Sequence, residues 1–277
     1  MLMEQRTIRG NKCCFFYYFQ TKWFFFDRRL DHFTISLGTA RSTCQILNDA
    51  TLIVYYPFDT TATYNDYSVN LCNGIAYDAT LISAGHINQA ISFNSSYSYF
   101  QSQCFPKLRT GGNQAFSISL WIKPYSIGLG GTIVHSSTLS NGAGTCYDIL
   151  ALTTNGTLVL QWMLPSTNVV NIQGDVIPAN TWTHVAYLFS NSNGARLYIN
   201  GQLSAASPTT SITMYDGSSV TPAFITLGNN TPLGPIGVSC SNGTTSFVPG
   251  AFSGAIDDFR LYYRELSTNE LCILANR

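Results

Sequence analysis

The sequence predicts an all-β, antiparallel two-sheet sandwich closed by a short C-terminal helix, and three observations carry that prediction. From Thr51 onward, runs of five to eight residues rich in Ile, Val, Tyr, Phe and Thr alternate with Gly, Pro, Asn and Ser clusters, the pattern of strands and turns. No helical period appears until the end of the chain. An apolar content of 45%, with 13% aromatic residues, fills two inner faces while Ser, Thr and Asn clothe the outer ones.

Taken in order, Ile53–Asp59 opens the sandwich. In Phe116–Pro124, alternation places Phe116, Ile118, Leu120 and Ile122 on one face, and Pro124, having no amide donor, ends the pairing. Tyr147–Leu152 and Thr157–Met163 flank Asn155 and Gly156, which tolerate the positive φ of a tight turn, and form a hairpin. Trp182–Ser190 passes through Asn191–Gly194 into Ala195–Ile199, and Asn200–Gly201 turns the chain again, giving three successive antiparallel strands. Gly254–Tyr263 alternates Phe259 and Leu261 against Arg260 and Tyr262, as in a strand with one wet face. Ser267 and Glu270 form a capping box, with Leu266 stapled onto Leu271.

Only 10% of the 277 residues are charged, against roughly 25% in an ordinary soluble domain. The net charge of zero hides an asymmetry: residues 1–44 hold seven of the 14 Lys and Arg but only three of the 14 acids, so the remainder is acidic by four. A body of that sign, without a basic stripe, argues against a nucleic-acid partner. Eight cysteines and the sequons at Asn94, Asn155, Asn229 and Asn242 point to a secreted or surface-displayed glycoprotein.

Two segments organise the chain: an atypical leader, 1–44, and a single sandwich domain, 45–277. In the leader, Arg6, Arg9 and Lys12 precede the aromatic run Cys13–Phe26, which contains Lys22 and ends in Asp27-Arg28-Arg29 without a small-residue cleavage site. A degenerate signal-anchor, an extension packed on the body and a mistranslated leader all fit, the last being favoured. A membrane becomes a partner only if this segment is an anchor.

Four stretches in order, Ile53–Asp59, Phe116–Pro124, Thr181–Ala186 continuing to Leu197–Gly201, and Gly254–Tyr262, resemble the laminin-G-like, or concanavalin A-like lectin/glucanase, jelly-roll family. The resemblance implies a curved two-sheet jelly roll used mostly for adhesion or for recognition of glycans and proteins, and in some branches for hydrolysis. It also implies a structural Ca2+ between the opening loop and the late Asp-Asp strand, with Asp59, Asp66 and Asp257 as ligands, and no organic cofactor.

Hydrolysis is disfavoured because the body's only glutamates, Glu265 and Glu270, lie in the last turn and helix, where they cannot form the paired carboxylates of a glycosidase strand. Asp257 and Asp258 are adjacent, so alternation sends them to opposite faces. His86, His135 and His184 accompany no nucleophile elbow or zinc-ligand spacing, and Trp121 and Trp182 read as packing residues. An enzyme would require Asp148 or Asp175 to meet a second carboxylate in a groove. The expected function is therefore non-catalytic recognition of a glycan or an extracellular protein through loops 60–73, 137–146 and 229–250, with Tyr64 and Tyr67 as aromatic contacts. The alternative is structural adhesion without a small ligand. The expected disulfides are Cys44–Cys272, Cys72–Cys104 and Cys146–Cys240 among fifteen pairings of six cysteines.

Overall fold

The computed structural model describes residues 16–19, 22–25, 50–59, 64–103, 114–164, 169–209, 212, 224–231 and 247–277. Its strands are, in chain order, β1 (Phe16–Phe19), β2 (Lys22–Phe25), β3 (Leu52–Tyr56), β4 (Gly74–Tyr77), β5 (Thr80–Ile82) and β6 (Ala90–Phe93). They continue with β7 (Tyr99–Gln103), β8 (Phe116–Pro124), β9 (Gly131–Ser137), β10 (Cys146–Leu152), β11 (Thr157–Met163) and β12 (Val169–Val176). The last are β13 (Thr183–Ser190), β14 (Gly194–Ile199), β15 (Gln202–Ser207), β16 (Phe224–Leu227) and β17 (Gly254–Tyr262), before helix α1 (Thr268–Ala275).

Two antiparallel sheets make the sandwich. One has seven strands in the order β12-β11-β10-β9-β16-β7-β4; the other has eight, β15-β14-β13-β8-β17-β6-β5 with β3 also paired to β17. Strands β1 and β2 pair with each other. The expected hairpin is present as β10–β11, and the expected three-strand meander as β13-β14-β15. Between the sheets lies one continuous core whose aromatic centre is Tyr56, Phe58, Phe100 and Phe259, with Phe100 set edge-on to Phe58 and Tyr56 at 5.1 and 4.8 Å. Each such side chain contributes roughly 1.5–3 kcal/mol by leaving water.

Strand β17 departs from the expected single wet face, since all nine of its residues are buried. The reason lies outside the sheet. Helix α1 is held by the predicted capping box, Ser267 accepting from the Glu270 amide while Glu270 accepts from that of Ser267. Its Leu271 and Leu274 pack with Leu266 over Tyr262, Leu188 and Tyr198 on the outside of the eight-stranded sheet. Beside it the Arg260 guanidinium lies 3.9 Å over the Tyr55 ring and bonds Asp258.

Alternation also fails at Asp257 and Asp258. A register shift follows Asp257, and Asp258 takes φ +53°, so Asp257 stands opposite Trp121 and Arg260 opposite Ser119 on one face. A bulge re-aims side chains in this way. Asp257 accepts from the amides of His86 and Ile87, both at 2.9 Å, while Asp258 accepts from Tyr55 and Arg277. Each acid thus secures the outer face.

Cys72 and Cys146 are disulfide-bonded; their expected partners, Cys104 and Cys240, lie outside the described residues, as does Cys44. Cys272 is buried on α1. The helix turns this position inward, where Cys behaves as a small apolar residue.

Candidate functional site

The outer face of the seven-stranded sheet gathers the polar side chains that sequence reading left scattered. Phe100, Ala76 and Leu227 face the core; alternation therefore turns Gln101 and Tyr99 of β7, Ile75 and Tyr77 of β4 and Thr226 of β16 outward. Pairing aligns them: Ile75 with Gln101, Tyr77 with Tyr99, Gln101 with Thr226, Thr226 with His135, and His135 with Asp148. One row thus crosses five strands.

Within that row Gln101 Nε2 donates to Thr226 Oγ1 and to the Ser140 carbonyl, both at 2.9 Å. His135 Nε2 lies 3.0 Å from the Gly142 carbonyl. A carbonyl only accepts, so Nε2 carries a hydrogen. At the other ring nitrogen, Nδ1 lies 2.8 Å from Asp148 Oδ1, while Asn230 approaches Asp148 Oδ2. His135 and Asp148 are fully buried, because the loop carrying Ser140 and Gly142 is fastened across them by these bonds. Asp148 reaches this face through a bulge: a register shift separates it from Leu150, which turns into the core.

At the β4 edge the row opens to solvent. Tyr77 is 58% exposed, and its ring stacks on Tyr99 at 5.6 Å and 19°. Tyr97 (53%) and Ile75 (62%) are exposed nearby in sequence. A flat aromatic surface bordering hydrogen-bonding groups suits a ligand with one apolar face and several hydroxyls.

The two tyrosines expected to bind ligand are separated by the fold. Tyr64 packs against the core with its ring 6.0 Å from Phe100, whereas Tyr67 is 47% exposed and edge-on to Tyr55. Asp148 contacts His135 and Asn230, and Asp175 contacts Ser204. His184, read as structural, is buried with Nε2 2.9 Å from Ser119 Oγ. Trp121 is buried under the stacked His86 ring. Among the sequons, Asn94 and Asn155 are exposed, and Asn242 lies outside the described residues. Asn229 is a correction: at 1% exposure its Nδ2 donates to the Ser96 carbonyl, leaving no room for an oligosaccharide.

Nor do Asp59, Asp66 and Asp257 converge, and among the described residues no three His, Cys, Asp or Glu side chains do. Asp66 spends both oxygens on the amides of Tyr55, Ser68 and Cys72 and the Ser68 hydroxyl, clamping its own loop. Asp59 and Asp257 instead grip opposite ends of segment 86–89. There, Asp257 Oδ1 and Gln89 Oε1 are buried without a hydrogen bond, and burial, reinforced by Asp258, pushes the Asp257 carboxyl up to about 7. Uncompensated oxygens of this kind fit the donor chemistry of Ca2+, with Gln89 in the place expected of Asp66.

The laminin G profile of the concanavalin A-like lectin/glucanases superfamily matches residues 94–272, more than half of the 277. The chain belongs to this superfamily. Among solved structures, this superfamily member resembles the botulinum neurotoxin serotype D ligand-binding domain in complex with N-acetylneuraminic acid. That likeness has a TM-score of 0.56 at 16% identity, over 84% of this chain and 52% of that one. The binding domain of Paraclostridial Mosquitocidal Protein 1 gives 0.56 at 19% identity, over 82% and 52%. Domain 4 of AbnA, an extracellular arabinanase from Geobacillus stearothermophilus, in complex with arabinotriose, gives 0.51 at 20%, over 82% and 98%. At these identities the likeness is one of fold, and the chain spans about half the length of the toxin chains. No curated protein matches the chain. Among the described residues no helix is long and apolar enough to cross a membrane.

Proposed function

We propose that this lectin-like sandwich is a non-catalytic, extracellular glycan-binding module whose ligand lies on the outer face of the seven-stranded sheet. The observation that carries the reading is the exposed Tyr77 ring, stacked on the buried Tyr99 beside the open end of the Gln101–Thr226–His135–Asp148 row. A sugar ring presents an apolar C–H face to an aromatic platform and hydroxyls to its neighbours. The glycans named with two of the similar structures are in keeping with this choice of ligand class. Binding without turnover is supported by the carboxylates: Asp148 is engaged by His135, Glu265 by Arg196 and Asn193, and Glu270 by Arg264 and the helix cap.

The disulfides at Cys72 and Cys146 favour an oxidising, extracellular compartment, and Cys104 and Cys240 are their proposed partners. Ca2+, held through Asp59, Gln89 and Asp257, would supply positive charge beneath segment 86–89.

A glycan array probed with the full chain, in calcium and then in chelator, tests the reading. Saturable binding that Tyr77→Ala abolishes, with the melting temperature unchanged, is expected. A blank array in both conditions would sink it and favour the alternative, protein adhesion through the exposed Val69 and Leu71 beside β4.

A further inference from the structure

One buried side chain on the same sheet is satisfied by nothing. Gln161 of β11 is 0% exposed, and its Oε1 and Nε2 are both buried without a hydrogen bond, a costly arrangement for an amide that can donate and accept. It pairs with Asn171 of β12 and faces the stretch of β10 where the bulge separates Asp148 from Leu150. Two residues along the same face, Val159 packs with Ala151 and Phe247 in a small apolar cluster separate from the main core. An acceptor, a donor and an apolar patch therefore stand together at the inner end of the polar row.

We propose that Gln161 reads an acetamido group, so that the glycan taken by this face carries an N-acetylhexosamine or an N-acetylneuraminic residue. The inference rests on the outer face being the glycan site. Nε2 donates to the acetamido carbonyl, Oε1 accepts from a neighbouring ring hydroxyl, because the N–H of a trans amide points away from its carbonyl, and Ala151, Val159 and Phe247 receive the methyl. A pair of hydroxyls would satisfy the amide but leave the apolar cluster without a counterpart, and this decides between the two chemistries. Entry requires the Phe247 ring to move off Val159. The chain between them and Ala251 includes Gly250, at φ +136° with nothing within 4 Å of the place a Cβ would take.

Calorimetric titration of the full chain with chitotriose, 3′-sialyllactose, cellotriose and lactose tests this. The first two carry an acetamido group on different sugars; the last two carry none. Wild type is expected to bind one of the acetylated sugars about ten-fold or more tightly than either plain one, and the better of the two identifies the source. Gln161→Leu should melt no lower than wild type, because it removes unsatisfied polar atoms, and should bind acetylated and plain sugars alike; Gln161→Met serves if the Leu variant misfolds. Equal affinities in wild type, or a preference that survives in the variant, would overturn the acetamido assignment alone. Failure of all four sugars to bind wild type would overturn the glycan site and this inference with it.

Discussion

Asp257, Trp121 and His184 stand in one cross-strand row over β17, β8 and β13, and the two titratable members are displaced in opposite directions. Burial drives the His184 imidazole down to about 3, with Arg260 and His86 adding to it, while it pushes the Asp257 carboxyl up to about 7. The acid, raised in the folded chain, gives stability that is present below its ordinary 3.8 and lost as pH climbs through 7. The histidine, lowered, gives stability present above its ordinary 6.5 and lost as pH falls toward 3. In chelator the two slopes oppose each other between about pH 4 and 6.5. Asp257→Asn should therefore make the melting temperature rise with pH across that window, and His184→Gln should make it fall; the same slope in both variants would refute the assignment. At this scale the sequence was least legible. The side chains that changed meaning, Asp148 and Asp258, sit at bulges, and a one-residue insertion reverses what strict alternation predicts. Gln161 looked like any strand residue because its lack of a partner depends on neighbours from other strands.

Helix α1 shows the opposite case, an element readable from Ser267, Glu270 and the Leu266–Leu271 spacing alone. Its cap and its seat on the sheet are separable contributions. Ser267→Ala is expected to cost about 1 kcal/mol through the lost amide partner, and Leu271→Ala about 2–5 kcal/mol through an unfilled site in a cluster that also covers Tyr262. Denaturant titration distinguishes them, and a Leu271→Ala loss below that of Ser267→Ala would mean that the helix does not close the outer face. The strands were legible wherever a turn signal marked their ends, as in β8, β10, β11, β13 and β14. What period and turn residues do not encode is which distant strands become neighbours: β16 lies between β7 and β9, and that insertion creates the Gln101–Thr226–His135 row.

Across the whole molecule, the sandwich has two outer faces with different duties. One is sealed by α1 and the Arg260–Tyr55–Asp258 contacts; the other holds a polar row that is roofed at its centre and open at the β4 edge. Disulfide mapping by peptide mass should find Cys72 with Cys104 and Cys146 with Cys240; removing either bridge typically costs about 2–5 kcal/mol. Other pairings would refute that arrangement. The family was legible from four strand signatures, but the face proposed for binding was not, since loop composition drew attention to Tyr64 and Tyr67 while alternation alone could not place Tyr77 beside Tyr99. The most direct test is amide hydrogen exchange of the full chain with and without its best-binding oligosaccharide. Protection confined to Gly74–Tyr77, Tyr99–Gln103, the Ser140–Gly142 loop and the Gln161 end of the same face (Ala151, Val159–Gln161 and Phe247) is the predicted result; protection at Tyr67–Leu71 or on the helix-covered face, with the seven-stranded sheet unchanged, would contradict it.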